Sequence, residues 1–552
     1  MEKSGSSVWQ KESGFSVDSD RDVYGYNIFT APVKLTRDKD VTTKVTIYSG
    51  KNSNLPLLTK VGPGVEYARP IIAQTGPVAV LPAVAMRVGT SLLPVDDAKL
   101  EDFISFSRKF TTDLLKPLGL SDVPTFDAWL ESRTYPGPRK RHLKEVRETM
   151  EGWKFGDLGP KELRVKAFVK TEVFSDFKAP RLICSRSDQF KVMTAPIFSA
   201  IDNAVFSNPQ FIKKIPIANR PDYIREYIGE SAQYFESDYT AFESLFRLAF
   251  LEKIEAHYIE HLVQNLPDGQ EFVDLYKRAI CSTNHISAPG CYVEILGRRM
   301  SGEMNTSSGN GMMNLCILAY LSRNEDLRCV VEGDDGLGAT NAVLTEQKFA
   351  DIGIRCKLEH HDHLFDASFC GMTFAPGETA ILTDPVDVLH KFGYIPARYK
   401  DARWSKKLAL LKCKAMSYVV QYHGCPIIFA FCRRILELTR SVDYRTVLRA
   451  FDEYEREQIL QFDRTLLDVQ IGSRYVFEKR YGISIDDQLL FEKQCCTLQL
   501  DDDFSVVQFP WLYRTQNAFV YEYLRGPTQT AAFNLDWTQD FKNKSRLKLS
   551  AL

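Results

Sequence analysis

The stretch that most constrains this chain is Val330-Val331-Glu332-Gly333-Asp334-Asp335-Gly336-Leu337. Two β-branched residues run into a glycine, two adjacent carboxylates follow, and a second glycine closes the segment. The flanking apolar residues predict two short strands with the acidic pair at the turn between them. Neighbouring aspartates repel in water, and in a cleft one of them takes up a proton. A divalent cation between them removes the repulsion. A solvated hairpin tip and a metal-holding turn both fit these eight residues alone, so the decision rests on what the rest of the chain brings to them.

The chain has 552 residues, of which 44% are hydrophobic and 12% aromatic, enough for several subdomains with real cores. Its net charge of −1 means that any nucleic-acid site is built from local basic clusters. Twelve cysteines follow no repeating spacing, and Cys495 and Cys496 are adjacent, which predicts free thiols in a reducing compartment. The polar start MEKSGSSVWQKESG lacks the apolar run of a signal peptide. The most apolar region, Pro77 to Val95, is broken by Pro82 and Arg87 and is too interrupted for a membrane helix. The only Gly-Lys pair, Gly50-Lys51, is followed by Asn52, so the phosphate loop of a helicase or ATPase is absent.

Further stretches carry chemistry. Trp129 to Arg141 ends in a Pro/Gly turn and the cations Arg139, Lys140 and Arg141, read either as a solvated charge run or as a phosphate-binding approach to a nucleic-acid channel. Phe168–Phe174 and Phe177–Arg186 predict two strands, on which alternation brings Lys170, Lys178 and Arg181 to one anionic ligand, with Glu172 holding a cation in place. Arg186 lies on the same ribbon. Asp238 is predicted near a strand's C-terminal end, where open sheets place ligand-binding groups. Glu243 begins a helical pattern that runs to Tyr258. Met300 to Gly311 is a Ser/Gly/Thr-rich loop feeding an apolar helix, suited to close approach of backbone to a ligand. Asp351 to Glu359 predicts a helix end, a glycine stop and a strand carrying Lys357. His360, His361 and His363 with Cys356 and Cys370 match no standard zinc spacing, and a polar loop is the better reading. From Val386 onward the chain reads as mostly helical and basic, interleaved with aromatic residues.

Taken in order, FVKTEVF…KAPRLICSR, DYTAFE, SGEMNTSSGNGMMN, EGDD, GIRCKLE and SFCGMTF resemble the RNA-dependent RNA polymerases of positive-strand RNA viruses, between Trp129 and about Lys391. The pattern is similar to the tombusvirus and nodavirus-like group, with a flavivirus-like basic ribbon. The resemblance implies an α+β fold with the layout of a right hand: fingers, a palm of antiparallel sheet plus helices, and a mostly helical thumb. It divides the chain into an N-terminal extension (1–60) on the fingers, fingers (61–232, with the basic ribbon at about 165–190), palm (233–258), a fingers insertion (259–295), palm (296–385), and thumb with tail (386–552).

The same resemblance implies roles. Asp238, Asp334 and Asp335 hold two Mg²⁺ or Mn²⁺ ions. Lys170, Lys178, Arg181 and Arg186 line the path of nucleoside triphosphates. Ser301, Gly302, Thr306 and Asn310 recognise ribose and template, and Lys357 protonates pyrophosphate. Glu243 stands where the family has aspartate and pairs with Asn310 to select a ribose 2′-OH. Arg139, Lys140 and Arg141 guide template. The implied partners are a single-stranded RNA template, its RNA product, NTPs and other viral replicase proteins, and the implied place is the host cytoplasm, at membrane-associated replication complexes reached through partners. A reverse transcriptase is disfavoured by SGEMNTSSGN and Asn310. A non-catalytic RNA-binding replicase subunit is disfavoured by the intact Asp238, Asp334 and Asp335.

Overall fold

The computed structural model describes residues 92–513 apart from 175–179, 240 and 463–467, with shorter stretches at 34–36, 43–47, 56–66, 71–75, 80, 83–84, 87–89, 530–532 and 534–535. The fold is α+β. At its centre stands a four-stranded antiparallel sheet, in the order Arg328–Glu332, Asp335–Ala339, Tyr234–Asp238, Lys357–His361. The first two strands form the hairpin expected around the acidic pair, with Glu332 opposite Asp335. Its loop is therefore two residues, Gly333-Asp334, and Gly333 takes a φ of +62°, which a two-residue turn between twisted strands requires.

Behind the sheet runs the helix Thr306–Leu321, buried from Ser308 to Leu321. A helix apolar on every side belongs inside a protein rather than on its surface. It packs with the helices Asp97–Leu115 and Asp188–Val205 into the largest hydrophobic cluster, which also takes in Phe235, Phe242, Phe250 and Val331. Asp96 caps the first of these helices, its carboxylate accepting from the Ala98 and Lys99 amides.

A six-stranded mixed sheet is the second unit. Val165–Val169 pairs antiparallel with Leu182–Arg186 and parallel with Thr283–Ala288, which continues through Cys291–Leu296 to Thr43–Ile47 and Asn534–Leu535. Residues 269–296 thus supply a helix, Gly269–Ile280, and two strands that back the basic ribbon. The ribbon differs from the two-strand expectation in one respect, since Val173–Phe174 leaves it and pairs with Ile71–Ile72.

Residues 385–513 are mostly helical where described, as the pattern after Val386 predicts, with a separate cluster around Leu389, Phe392, Leu410, Phe431 and Phe477. Residues 58–65 are tied to this unit: Leu58–Lys60 pairs with Tyr394–Pro396, Gly64–Val65 pairs with Asp503–Phe504, and Lys60 bridges to Asp503 at 2.6 Å. Lys414 is partly buried there and donates to the carbonyls of Lys391, Phe392 and Tyr394 at 2.6–2.9 Å. Further along, Phe509 and Trp511 pack around Phe491.

The helix expected over Glu243–Tyr258 is broken. Phe242–Leu245 is a 3₁₀ turn, the helix starts at Leu248, and Leu251–Glu255 is a π segment. Among the described residues no helix is long and apolar enough to cross a membrane.

Candidate active site

The register of the central sheet fixes the acidic groups. Gly336 faces Ser237, so one step further Asp335 comes level with Asp238. On the other side Lys357 is paired directly with Asp238. The side chains at the hairpin tip diverge. Asp334 turns into a pocket also lined by Arg87, Lys170, Arg181, Glu243, Arg299 and Ser301. Asp335 hydrogen-bonds the Cys370 thiol and faces Asp238 and Glu236.

These carboxylates are under electrostatic tension. Burial, with Glu243, Asp335 and Asp238 nearby, pushes Asp334 up to about 7. Burial, with Asp238 and Glu332 adding to it, pushes Asp335 up to about 6. Asp334 and Asp335 are partly buried and Asp238 is exposed, and none of the three forms a salt bridge among the described residues; acids that repel one another in this way are a donor set suited to a hard divalent ion, which takes carboxylate and water oxygens. Three carboxylates drawn from the strand end and the hairpin are in place for it, although their oxygens spread more widely than those of Glu236, Glu359 and His361. That trio is the group of possible ligand atoms lying within 4.8 Å of one another among the described residues. Neither Cys356 nor Cys370 joins it, and burial drives both thiols upward, away from the thiolate a zinc site uses.

The turn is held from below by a residue that the motif reading passed over. The Asn314 amide donates to the carbonyls of Gly333, Asp334 and Asp335 at 3.3, 3.2 and 3.0 Å, and its oxygen accepts from the Tyr239 hydroxyl at 2.9 Å. Asn314 lies four residues after Asn310, so both face the same side of the buried helix. A second polar residue at that spacing in an apolar helix was the available signal. Glu332, just before the turn, is clamped by Arg220 at 2.7 Å and Lys213 at 3.0 Å.

The basic ribbon supplies the opposite charge. Arg181 makes a two-pronged contact with Glu172, and Lys170 approaches the same carboxylate at 3.2 Å. Burial opposes ionisation of Glu172, but Arg181 and Lys170 outweigh it and hold the carboxyl below its ordinary range. Glu172 thus aims two cations at the pocket that Asp334 enters. Lys178 lies outside the described residues. Arg186 is corrected: its guanidinium is buried and committed to Glu303 (2.6 Å), Asn284 (2.7 Å) and the Leu163 carbonyl (2.7 Å), behind the ribbon rather than in the pocket.

Glu243 and Asn310 meet as expected, the Asn310 amide donating to the Glu243 carboxylate at 3.5 Å, at the outer limit of a hydrogen bond. The Asn310 side-chain oxygen has no hydrogen-bond partner among the described residues. Ser301 lines the pocket, and its carbonyl accepts from the Cys184 amide at 2.5 Å, joining this loop to the ribbon. Gly302 has a φ of +118°, and a Cβ there would come within 3.0 Å of Ile183. Thr306 is turned to holding the loop, with its hydroxyl bonded to the Met300 and Glu303 carbonyls and the Gly302 amide.

Lys357 is exposed and bonded to Glu359, which raises its pKa; Asp238 adds to the effect. The basic run at 139–141 starts the helix Gly137–Glu148 and is largely neutralised: Arg139 forks onto Asp188 at 2.5 and 2.7 Å, and Lys140 reaches Glu131 at 3.1 Å. Arg141 is exposed without an ion-pair partner among the described residues. The residues missed by sequence reasoning are Arg87, Arg299 and Asn314. Arg87 was visible as the lone cation in an apolar stretch, and Arg299 as the second of two arginines abutting the Ser301 loop.

No protein-family model matches the chain. Over 393 residues, 65% of its length, the chain is 21% identical to a curated protein of melon necrotic spot virus named RNA-directed RNA polymerase. The matched part is 48% of that protein, so the chain spans about half the length of this relative. The similarity supports a relationship between this chain and a viral RNA-directed RNA polymerase.

Proposed function

We propose that the chain synthesises RNA on an RNA template from ribonucleoside triphosphates, replicating a viral RNA genome. The observation that carries this reading is one pocket in which the acidic turn (Asp334), two ribbon cations (Lys170 and Arg181) and a ribose-reading acceptor (Glu243, contacted by Asn310) meet. The four-stranded sheet with its buried helix fits a palm, the six-stranded sheet fits fingers, and the C-terminal helical unit fits a thumb.

Each group has a physical task in that reaction. Arg181 and Lys170 bind the triphosphate, and Glu172 keeps the planar guanidinium fork oriented so that little order is lost on binding. Glu243 accepts from the 2′-hydroxyl and Asn310 holds the carboxylate in place; a site built to bond that hydroxyl rejects the analogue lacking it, because its buried polar atoms are left unpaired. Asp238, Asp334 and Asp335 would hold the divalent ions. Such ions, when bound, supply charge neutralisation and make the 3′-hydroxyl a better nucleophile. Lys357, kept protonated by Glu359, is the proton donor for the pyrophosphate oxygen.

The test is template-dependent incorporation of ribonucleotides against deoxyribonucleotides by the purified chain. Ribonucleotide incorporation that follows the template sequence is the expected result. Preference for deoxyribonucleotides would indicate a reverse transcriptase, and RNA binding without incorporation of either would indicate an accessory subunit.

A further inference from the structure

Beneath the pocket lies a buried charged network. The Arg299 and Glu255 side chains are both fully inaccessible and form an ion pair. The other Glu255 oxygen accepts from the Tyr276 hydroxyl at 2.5 Å and the Asn305 amide at 2.7 Å. Glu255 closes the π segment Leu251–Glu255, and a π turn inside a helix is a costly local rearrangement that commonly marks a functional position.

A second observation comes from the facing helix. Gly309 is helical, where glycine is less favourable than alanine. A Cβ there would lie 2.6 Å from Arg299 Nη2 and 3.0 Å from Glu255 Oε2. Gly309 therefore makes room for this ion pair one residue before Asn310.

The pair is also incompletely satisfied. Among the described residues Arg299 Nε and Nη1 have no hydrogen-bond partner, and Nη1 stands 3.8 Å from Glu303 Oε2, which has none there either. Arg299 borders the same pocket as Glu243 and Ser301. Spare donors on a buried cation need an explanation; Glu243 and Asp334 are the anions that share the pocket, and of these two it is Glu243, after Glu303, whose charge bears on Arg299.

We propose that Arg299, clamped by Glu255 and seated in the gap left by Gly309, is a positioning residue that sets the Glu243 carboxylate and the Ser301–Asn310 segment for reading the ribose. This rests on the ribonucleotide reading above and deepens it: Glu243 is longer than aspartate by one methylene, and the arginine beneath removes the freedom which that adds. Loss of the clamp lowers selection for the 2′-hydroxyl more than it lowers nucleotide addition as such.

The experiment measures kcat/KM for UTP and for dUTP on a poly(A) template, with the full chain and the variants Arg299→Lys, Arg299→Met, Glu255→Gln and Gly309→Ala, each checked by thermal melting. The UTP-to-dUTP preference is expected to fall by roughly tenfold in Arg299→Met and Gly309→Ala, as for loss of one charged hydrogen bond, with partial recovery in Arg299→Lys. Equal losses for both nucleotides, leaving the ratio unchanged, would overturn the proposal while leaving the polymerase reading intact. Should Arg299→Met fail to fold, Arg299→Lys and Glu255→Gln decide, and an unchanged ratio in both overturns it. Absence of template-dependent UTP incorporation by the unmodified chain would overturn the polymerase reading and this inference with it.

Discussion

Asp334→Asn separates the stability of the pocket from its function. In the protein without metal, Asp334 titrates at about 7 against an ordinary 3.8. At 1.36 kcal/mol per pH unit, the difference between about 7 and 3.8 bounds its effect at ~4 kcal/mol, and the water that this partly buried group still reaches lowers that to about 2 kcal/mol. The sign follows from which state holds the proton more tightly. The folded pKa is raised, so the folded protein binds the proton better, and the contribution is full below about pH 4 and lost as pH rises through about 7. Asparagine has nearly the same shape and carries no charge, and the Asn314 contacts go to backbone carbonyls that it keeps. In EDTA at pH 8 the variant should therefore be more stable than the parent by about 2 kcal/mol, a rise of a few degrees in melting temperature, with the gap shrinking to less than about half by pH 5. Adding Mg²⁺ should stabilise the parent more than the variant. Thermal melts across pH 5–8.5, with and without Mg²⁺, read this out. A variant less stable at pH 8 in EDTA, or a gap independent of pH, would refute the electrostatic account of the pocket.

Four other substitutions probe different links. Arg181→Gln should raise KM for nucleotides roughly tenfold with little change in melting, because its ion pair is about half exposed (Arg181 49% accessible), and steady-state kinetics on a fixed template checks it. Asn314→Leu should cost about 2–3 kcal/mol in denaturant unfolding, since three turn carbonyls lose their buried donor, and should abolish synthesis as the hairpin tip shifts. Arg141→Ala should reduce the salt slope of RNA binding by about one, whereas Arg139→Ala should leave the slope nearly unchanged and lower stability by freeing Asp188, which salt titrations of binding distinguish.

The hairpin, the buried helix after the Ser301 loop and the strand carrying Lys357 were legible because each is a local pattern: alternation, an all-apolar helical run, a glycine stop. The meeting of Glu172 with Arg181 was legible for the same reason, two short strands and a turn apart. Arg186 was not. Alternation says that Leu182, Cys184 and Arg186 share a face, but only the neighbouring sheet, with Asn284 and Glu303, makes that face the inner one. The cations at 139–141 read as a phosphate track because Asp188, which neutralises Arg139, lies 49 residues away. The broken helix after Asp238 was hidden because a 3₁₀ start and a π turn keep nearly the same apolar spacing as a regular helix.

The most direct test of the central claim is nucleotide incorporation on a single-stranded RNA template by the parent and by Asp334→Ala, in Mg²⁺ and in EDTA, with RNA binding measured in parallel. The account predicts synthesis by the parent in Mg²⁺, none in EDTA, and none by the variant while it still binds RNA. Synthesis that survives in Asp334→Ala, or that proceeds in EDTA, would contradict it.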